Sequence, residues 1–517
     1  MTYKPSRRRF LMQLSAATGA GVTAPLWLDL VQRGGLPFAW AMGEGDVLPA
    51  GTPVCVHIKL DGGNDYLNTL VPVEDGFYRD AAVGHGALAL TPEDTLALTG
   101  TSYRLHNSLP WLADRWNTAG DVGFALGVGN LDANFSHFDS MKYWDTARLD
   151  VLGRTGWLGR YADAVRPQNA LASVSLSDLR ADAVGKTAPA LVVQDCAGFS
   201  YTAPWLSSNV FMNGARQMAT IEGTHQIAQV SKMMGTTFQV AERIKAADDP
   251  ALTGDTSDYG GLTSIARQLV QTALLIKSGI PAQSYTMGFG PFDSHSDQRQ
   301  MQTDRFTELN QGLSKFFSVL AGHARQKDVF VLITSEFGRQ ATANRDGGTD
   351  HGQAGMAVFI GGGVKRGVFG QAPTLDPGGA TRPNRISDAL RPTVDFRSVH
   401  ATALNRLAKG NANVADEVLG ARYEDLRVFP NRAPIAAMTL SAVSGPAPLT
   451  ITADASASRD LDGAIAAYRW AWGDGTANTF AKTANHQYPT PGTFSVRLSV
   501  QDNRGTWSHS TKTVTVS

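Results

Sequence analysis

Acidic residues and histidines stand beside the ends of several apolar segments that are far apart in the sequence. They are Asp61 after PVCVHIKL, Asp293 and His295 after SYTMGFG, Glu336 after DVFVLITS, and Asp350 and His351 shortly before MAVFIGGG. Carboxylates that share one site repel each other unless a cation neutralises them. Carboxylate and imidazole ligands suit zinc, manganese or magnesium. The pattern therefore predicts a site for one or two divalent ions, and two ions would form a clamp for displacement at phosphorus or sulfur.

Each part of this pattern also has a simpler explanation. The segment DGGND is typical of a turn, in which Gly62 and Gly63 supply unusual dihedral angles. The DSH segment is common in solvated loops, and Glu336 could pair with Arg339 on the surface. An isolated Asp-His pair is a weak signal, although the glycines of GGTDHGQ allow the backbone to approach a ligand closely. The combination of all parts at strand ends favours the metal site.

A serine follows a further apolar segment, DVGFALGVG, at a position that suits a nucleophile. In LDANFSHFDSMKYWDTA, Ser136 stands beside His137 where a helix is expected to begin. The backbone N–H groups of a helix N-terminus favour an oxyanion. A hydroxyl bound to a metal loses its proton more easily and can attack an ester. The alternative is that Ser136 only caps the helix and His137 only packs.

These residues need a scaffold, and the region from residue 51 to 425 alternates between strand and helix patterns. Near-continuous apolar runs predict buried strands at residues 53–60, 121–129, 189–194, 284–290, 328–335 and 356–363. Apolar residues at helical spacing predict helices at 262–280, with Gly279 as the stop, and at 303–326. This order predicts an α/β domain whose mostly parallel sheet is sandwiched by helices, and such sheets bind ligands outside the carboxyl ends of their strands.

Length and composition restrict the class of protein. At 517 residues the chain exceeds the size at which one core keeps growing, so two or more domains are expected. Lys plus Arg and Asp plus Glu number 46 each, and this balance predicts no nucleic-acid partner. The two cysteines, Cys55 and Cys196, could form one disulfide. Cys55 lies in a predicted buried strand, however, and a core thiol explains it equally well.

The first 41 residues have the features of an export signal. Three arginines at residues 7–9 precede an apolar, Ala/Gly-rich run, and AWA at residues 39–41 offers small residues for cleavage. The order is similar to that of a twin-arginine signal; the alternative is a basic tail before an amphipathic helix. No other segment approaches the ~18 apolar residues of a membrane span. We therefore expect a periplasmic, cell-surface or secreted protein that is not integral to the membrane.

The end of the chain, residues 434–517, differs in composition and follows a linker at 426–433. Short alternating stretches such as PLTITADAS and TFSVRLSVQD predict an all-β sandwich. The segments SASRDLDG, YRWAWGDGTA and HQYPTPGTFSVRLSVQDNRG resemble the polycystic-kidney-disease (PKD) repeat, an Ig-like module of extracellular bacterial enzymes. The resemblance implies contact with a cell surface or polysaccharide; the alternative is a stabilising appendage without a ligand. Trp470, Trp472 and Tyr488 suit a sandwich core better than a sugar platform.

Four segments of the larger domain resemble the signatures of the bacterial domain of unknown function 1501. They are HIKLDGGNDYLNTLVP, NFSHFDSMKYWDTA, GFGPFDSHSDQ and SEFGRQATANRDGGTDHGQAGMAVFIGGGVKRGVFG. The resemblance covers residues 51–425. That family resembles the alkaline phosphatase and sulfatase superfamily in its strand-end acids, which implies an alkaline-phosphatase-like fold. The family has no general substrate, so the resemblance says less about activity than about fold.

The superfamily resemblance also implies roles for the residues. Asp61, Ser136 and Glu336 would serve one metal ion, with Ser136 as the nucleophile. The second ion would be served by three further residues, Asp293, His295 and His351. Outside these ligand sets, the resemblance implies that Asp350 orients His351. Asn134 and Arg339 could contact a bound anion, or serve as a turn residue and a salt-bridge residue respectively.

The sequence departs from the superfamily pattern at two points. Glu336-Phe337 stands where the superfamily commonly has Asp-His, so one histidine ligand of the second metal ion is missing. Ser136 does not lie in a Cys/Ser-x-Pro-x-Arg sequence, which argues against a sulfatase that depends on formylglycine.

Two function classes follow. The first is an exported metal-dependent hydrolase of a phosphate or related ester, with a small-molecule or polymer substrate and a β-sandwich module for attachment. The second is a non-catalytic envelope protein that keeps the hydrolase fold for binding or assembly.

Overall fold

The structure is a computed structural model. It describes residues 48–132, 134–149, 154–165, 172–188, 190–194, 262–379, 389–409, 412–431, 433–460 and 464–517. The predicted signal at 1–41 and Cys196 lie outside these residues. The chain divides into two compact units, Met1–His400 and Ala401–Ser517.

The first unit alternates strands and helices, as predicted. Its described strands are β1 (Val54–Leu60), β2 (Leu70–Val71), β3 (Thr95–Ala97), β4 (Arg104–His106), β5 (Val122–Gly129), β6 (Ser173–Leu176), β7 (Ala190–Val193), β8 (Ser284–Phe289), β9 (Val329–Ser335), β10 (Gly355–Gly361), β11 (Gly367–Gly370) and β12 (Val394–Asp395). Its described helices are α1 (Gly76–Arg79), α2 (Pro110–Asn117), α3 (His137–Thr146), α4 (Trp157–Val165), α5 (Ser264–Lys277), α6 (Gln298–Val319) and α7 (Phe396–Leu407), the last of which continues into the second unit. Short 3-10 helices occupy Gly86–Leu88, Pro92–Asp94 and Ala181–Ala183.

One nine-stranded sheet forms the centre of this unit. Its order is β11-β5-β10-β9-β1-β8-β6-β7, with β12 also paired to β5. Within the described residues, every strand of this sheet runs in the same direction except β10, which is antiparallel to β5 and β9. The mostly parallel sheet and all six predicted strands are thus confirmed. A smaller sheet has the order β2-β4-β3.

Strand β1 shows why these segments are continuously apolar. All seven of its residues are buried, because both faces of the sheet are covered. Its even-numbered residues, Val54 to Leu60, belong to the main hydrophobic cluster, which also contains Leu269 of α5 and Phe306 of α6. The other face carries His57, whose ring packs edge-on against Trp157 of α4.

The reversed direction of β10 matters for the site. The carboxyl ends of β1, β8 and β9 lie at one edge of the sheet, since these strands are parallel neighbours. Because β10 is antiparallel to β9, its first residue lies at that same edge. The segment that precedes β10, with Asp350 and His351, therefore meets the residues that follow the parallel strands.

The second unit contains the predicted β-sandwich. Its strands are β13 (Thr439–Leu440), β14 (Ser444–Gly445), β15 (Leu449–Asp454), β16 (Ile465–Ala471), β17 (Thr483–Tyr488), β18 (Gly492–Asp502) and β19 (Trp507–Val516), and a helix, α8 (Ala412–Leu419), precedes them. The two sheets have the orders β13-β15-β17 and β14-β19-β18-β16. Trp470, Trp472 and Tyr488 lie in the sandwich core, which confirms that interpretation.

Within the described part of the chain, no helix combines the length and the apolar character that crossing a membrane requires.

Candidate metal centre

The loops after β1 and β8 are joined directly. The backbone N–H of Asp61 donates to the carbonyl of Phe289, and the carbonyl of Asp61 accepts from the N–H of Phe292. Gly62 and Gly63 have positive φ angles of 122° and 80°, as the turn interpretation predicted. A Cβ atom at Gly62 would collide with the backbone of Phe292, so the close approach of the two loops requires glycine there.

Three histidines direct the same ring nitrogen toward Asp293. His295 Nε2 lies 3.1 Å and His351 Nε2 lies 3.2 Å from Asp293 Oδ1. His137 Nε2 lies 3.5 Å from Asp293 Oδ2. The Nε2 atoms of His295 and His351 are 3.0 Å apart. Asp293 is therefore the centre of a cluster that β8, α3 and the segment before β10 assemble together.

The opposite nitrogen of each ring faces an oxygen. His137 Nδ1 lies 2.9 Å from Glu336 Oε1 and His295 Nδ1 lies 3.1 Å from Asp350 Oδ1. His351 Nδ1 lies 2.8 Å from the carbonyl of Phe135. Carboxylate and carbonyl oxygens only accept, so each Nδ1 carries a hydrogen, and in the neutral form of each ring the lone pair is then on Nε2. This is how proteins orient histidines that bind metal ions.

These distances suit a metal ion. Bonds of about 2.0 Å in a tetrahedral zinc site place ligand atoms about 3.3 Å apart, and the separations around Asp293 are 3.0–3.5 Å. His137, Asp293 and His351 offer ligand atoms that all lie within 4.8 Å of one another. His137 Nε2 is shielded from solvent and has no hydrogen-bond partner among the described residues. Since facing lone pairs repel, a cation or a proton must lie among these nitrogens.

The electrostatics agree with this description. Burial would raise the pKa of the Asp293 carboxyl, but the hydrogen bond and charge of Arg339 lower it. Burial opposes ionisation of Glu336 too, and the hydrogen bonds from His137 and from backbone amides lower its pKa. Burial lowers the pKa of His351, whereas the hydrogen bond to Glu336 raises that of His137. Both carboxylates are therefore anionic near neutral pH, and the neutral form of His351 is favoured.

Arg339 lies beneath the cluster and is fully occupied there. Its guanidinium donates to the carbonyls of Gly62, Gly63, Phe292 and Thr349 and, at 2.6 Å, to Asp293 Oδ1. It is 1% exposed. The structure thus places Arg339 as the residue that ties the loops together and neutralises Asp293. The surface pair of Glu336 with Arg339 is not formed, because both side chains are buried and bind other groups.

Asp61 has different partners from Asp293. Arg180 Nη2 donates to Asp61 Oδ1 at 2.8 Å and Arg180 Nη1 donates to Asp61 Oδ2 at 3.2 Å. Both carboxylate oxygens therefore face one guanidinium. Burial would lower the pKa of Arg180, but Asp61 raises it, so the guanidinium stays charged. Of the residues predicted for the first metal ion, Asp61 and Glu336 line the same cavity but have different partners. Asp61 pairs with Arg180, and Glu336 hydrogen-bonds His137, the Gly62 amide and the Ser335 hydroxyl.

Ser136 is the N-cap of α3, as expected for a serine that begins a helix. Its Oγ accepts from the backbone N–H of Asp139 at 3.5 Å. The preceding residue, Phe135, has a φ of 61°, and its carbonyl accepts from His351. A bulky residue in this conformation costs about 1–3 kcal/mol and is common where a site requires it. Asn134 is exposed and accepts from the Ser136 N–H, so it serves the turn before the helix.

A cavity of about 540 Å³ adjoins the cluster. Its lining includes Asp61, His137, Arg180, Gln268, Asp293 and Glu336. Arg180, His137 and Asp293 line the same cavity, so a cation at Asp293 and a fixed positive charge would face one bound molecule.

Sequence reasoning missed two of these residues. His137 was considered only as a packing residue, although its place at a helix start beside a strand end was a usable signal. Arg180 lies between β6 and a 3-10 helix, in the segment SDLRADA. This segment has no recognisable motif. Its partner Asp61 could be found only from the fold.

Comparisons with known proteins identify a family and a module. The profile of the family described as "Protein of unknown function (DUF1501)" matches residues 127–421, and that of the PKD domain matches residues 431–517. Collagenase ColA of Clostridium perfringens is 36% identical over 113 residues, which are 21% of this chain and 10% of the collagenase. The chain thus spans a small part of that relative.

Two solved structures show similarity at low TM-scores. The PKD1 domain of Epp from Vibrio anguillarum is 29% identical, with 17% of this chain and 96% of that chain covered and a TM-score of 0.15. A sulfatase from the glycosaminoglycan-metabolism locus of Bacteroides thetaiotaomicron is 11% identical, with 89% of each chain covered and a TM-score of 0.33. Similarities at these TM-scores carry no information on activity.

Proposed function

Because the chain belongs to the family described as "Protein of unknown function (DUF1501)", we propose its function from its own site. It is an exported hydrolase of a phosphate or related ester, and its activity depends on a divalent metal ion such as zinc, manganese or magnesium. One observation carries the proposal. Three imidazoles, each fixed through Nδ1, direct their Nε2 atoms at the carboxylate of Asp293.

The ligand set fits one ion better than two. His137, Asp293 and His351 supply two nitrogens and a carboxylate within 4.8 Å of one another, which suit zinc. His295, whose Nε2 atom lies 3.0 Å from that of His351, is a candidate for a further ligand. Asp61 is held by Arg180, and the Glu336 oxygens already accept from His137, Gly62 and Ser335. A bound divalent ion supplies a Lewis acid to an ester oxygen and eases loss of a proton from a hydroxyl.

The remaining groups suit an anionic substrate. Arg180 lies on the cavity and offers a guanidinium, which binds phosphate or sulfate oxygens in a fork. Ser136 precedes the ligand His137 at the start of α3, where backbone N–H groups favour negative charge. In the proposed reaction Ser136 Oγ attacks the phosphorus, and the bond to the leaving oxygen breaks as the new bond forms. The hydroxyl proton passes to solvent, and water then hydrolyses the phosphoserine.

The N-terminal segment and the C-terminal module bear on where the protein acts. The N-terminal sequence supports export by the twin-arginine route to the periplasm, cell surface or medium. The match to the PKD domain supports a binding role for residues 431–517. We propose that this module holds the protein near a surface or a polysaccharide.

A binding protein without catalysis is the second candidate, and the position of Ser136 favours it. The hydroxyl caps its own helix at Asp139, and Ser136 is not among the residues that line the cavity. Such a protein would keep the metal centre for recognition or assembly in the cell envelope.

Turnover by the purified mature protein separates the two functions. Aryl phosphate, aryl phosphodiester and aryl sulfate esters are tested with added zinc, manganese or magnesium, and with chelator. We expect chelator-sensitive turnover of one ester class. Ser136→Ala should lower kcat at least about a thousandfold, the scale of losing a nucleophile, while its metal content stays unchanged.

The matched control is Ser140→Ala, one turn later in the same helix and buried. It should leave kcat near that of the unaltered protein. Bound metal with no turnover of any ester would contradict the hydrolase and leave the binding protein.

A further inference from the structure

A buried glutamine, Gln298, joins the two loops that carry the proposed metal ligands. The ligand loops are residues 290–297, with Asp293 and His295, and residues 345–352, with His351. Gln298 Oε1 accepts from Ser294 Oγ at 3.0 Å and from Thr349 Oγ1 at 2.6 Å. One oxygen atom therefore holds a residue of each ligand loop.

The two contacted residues stand very near the ligands. Ser294 lies between Asp293 and His295 in the sequence, and Thr349 lies two residues before His351. The carbonyl of Ser294 also accepts from the N–H of Thr349 at 3.0 Å. A shift of Gln298 would therefore move both loops at the point where their ligands leave the backbone.

Gln298 is itself fixed by a buried ion pair. Its Nε2 donates to Asp65 Oδ2 at 2.7 Å, and His85 Nε2 lies 2.7 Å from the same oxygen. His85 Nδ1 lies 2.6 Å from the carbonyl of Ala341. Both nitrogens of His85 face acceptors, so the ring donates twice and is the cation of the pair. Gln298, Asp65 and His85 are 0–1% exposed.

We propose that Gln298 is a positioning residue for the metal centre. It sets the distance between the ligand loops, and the Asp65–His85 pair holds its amide in place. This inference rests on the proposed metal site, and it adds a residue that touches none of the ligand side chains. Groups of this kind affect metal affinity because they fix where the ligands lie.

The same helix supplies a matched control. Gln302, one turn later in α6, is 2% exposed and donates to the backbone carbonyl of Asp65 at 3.2 Å. Its Oε1 has no hydrogen-bond partner among the described residues, so it does not reach the ligand loops. Gln298→Met and Gln302→Met remove the same amide from the same helix at similar burial. Only the first removes the side-chain link between the loops, and both keep the backbone bond from the Thr349 N–H to the Ser294 carbonyl.

The first readout is Co²⁺ binding to the full-length mature protein after metal removal. Gln298→Met should weaken Co²⁺ binding about 10- to 100-fold, as loss of an outer partner does, and should change the visible absorption bands that report ligand geometry. Gln302→Met should keep the absorption spectrum and most of the affinity. Equal loss in the two variants, or no loss in Gln298→Met, would overturn the proposal.

The second readout needs no metal ion. Hydrogen exchange of the metal-free protein should become faster in peptides covering the ligand loops in Gln298→Met and stay unchanged there in Gln302→Met. Failure of the unaltered protein to bind Co²⁺ would contradict the proposed function, while the exchange rates would still decide the role of Gln298. If Gln298→Met does not fold, Thr349→Val replaces it, because this variant removes the hydrogen bond from Thr349 Oγ1 to Gln298 Oε1. It must show the same loss of Co²⁺ affinity and the same faster exchange, each to a smaller extent.

Discussion

Asp293 and Asp61 follow neighbouring parallel strands, and their carboxylates have different surroundings. Both carboxylate oxygens of Asp61 accept hydrogen bonds from the guanidinium of Arg180. Asp293 gives one oxygen to Arg339, and its two oxygens also face the Nε2 atoms of three histidines. Arg180 therefore balances the charge of Asp61. Arg339 balances the charge of Asp293, but in the neutral form of the three rings the Nε2 lone pairs beside Asp293 still require a cation or a proton.

This difference gives a physical reason for placing the proposed metal site at Asp293 and not at Asp61. A carboxylate that forms a two-point ion pair with arginine already has a cation beside both of its oxygens. A carboxylate among imidazoles whose Nδ1 hydrogens are used elsewhere leaves a position that a cation or a proton must fill. We infer that the orientation of the groups that hold the histidines, and not the number of acids, determines which strand end is suited to the proposed ion.

The largest effect on metal binding is expected from loss of a ligand. His351→Ala should weaken Zn²⁺ binding by more than about 100-fold. The reason is that loss of a ligand lowers metal affinity more than loss of an outer hydrogen-bond partner, which lowers it about 10- to 100-fold. A competition assay with a chromogenic chelator measures the affinity. The control is His323→Ala, a histidine that follows α6 at the opposite ends of the strands. Equal affinity of the two variants would remove His351 from the site.

Loss of a carboxylate that holds a histidine should weaken metal binding less than loss of a ligand. Glu336 is 3% exposed and holds His137, so Glu336→Gln should weaken Zn²⁺ binding about 10- to 100-fold. Asp350 holds His295 from an exposed position, and water can replace it. Asp350→Asn should therefore have the lesser effect in the same chelator competition. The reverse order would mean that Glu336 does not act through His137.

The two regions should also differ in their response to pH. Arg180 stays protonated beside Asp61. The ligand loops, in contrast, are held by Gln298, which is fixed by Asp65 and the titratable ring of His85. Burial lowers the pKa of His85, but Asp65 raises it to a value above the ordinary 6.5. The folded state therefore binds a proton that the unfolded state releases, and the stabilisation is complete below pH 6.5 and is lost as pH rises through the raised pKa.

Urea unfolding of the metal-free protein at a series of pH values measures this loss. His85→Gln should be less stable than the unaltered protein at pH 6, and the difference should shrink with rising pH. Asp65 is the charged group that faces this ring, and Tyr78 lies against it with 5.5 Å between ring centroids. A difference that stays constant with pH would show that His85 is neutral in the folded protein.

Much of the scaffold could be predicted, because a sheet covered on both faces requires long apolar segments. Strands β1, β8 and β9 were found within a residue or two for this reason. Their parallel order then placed Asp61, Asp293 and Glu336 at one edge. The partners of these acids could not be predicted, since the contacts of Asp61 with Arg180 and of Glu336 with His137 join segments 119 and 199 residues apart.

Metal content of the purified mature protein, measured after removal of loosely bound ions, tests the central claim most directly. We expect one divalent ion per chain, retained in Asp61→Ala and lost in Asp293→Ala. A chain without metal, or one that loses its ion in Asp61→Ala and keeps it in Asp293→Ala, would show that Asp293 is not the centre of a metal site.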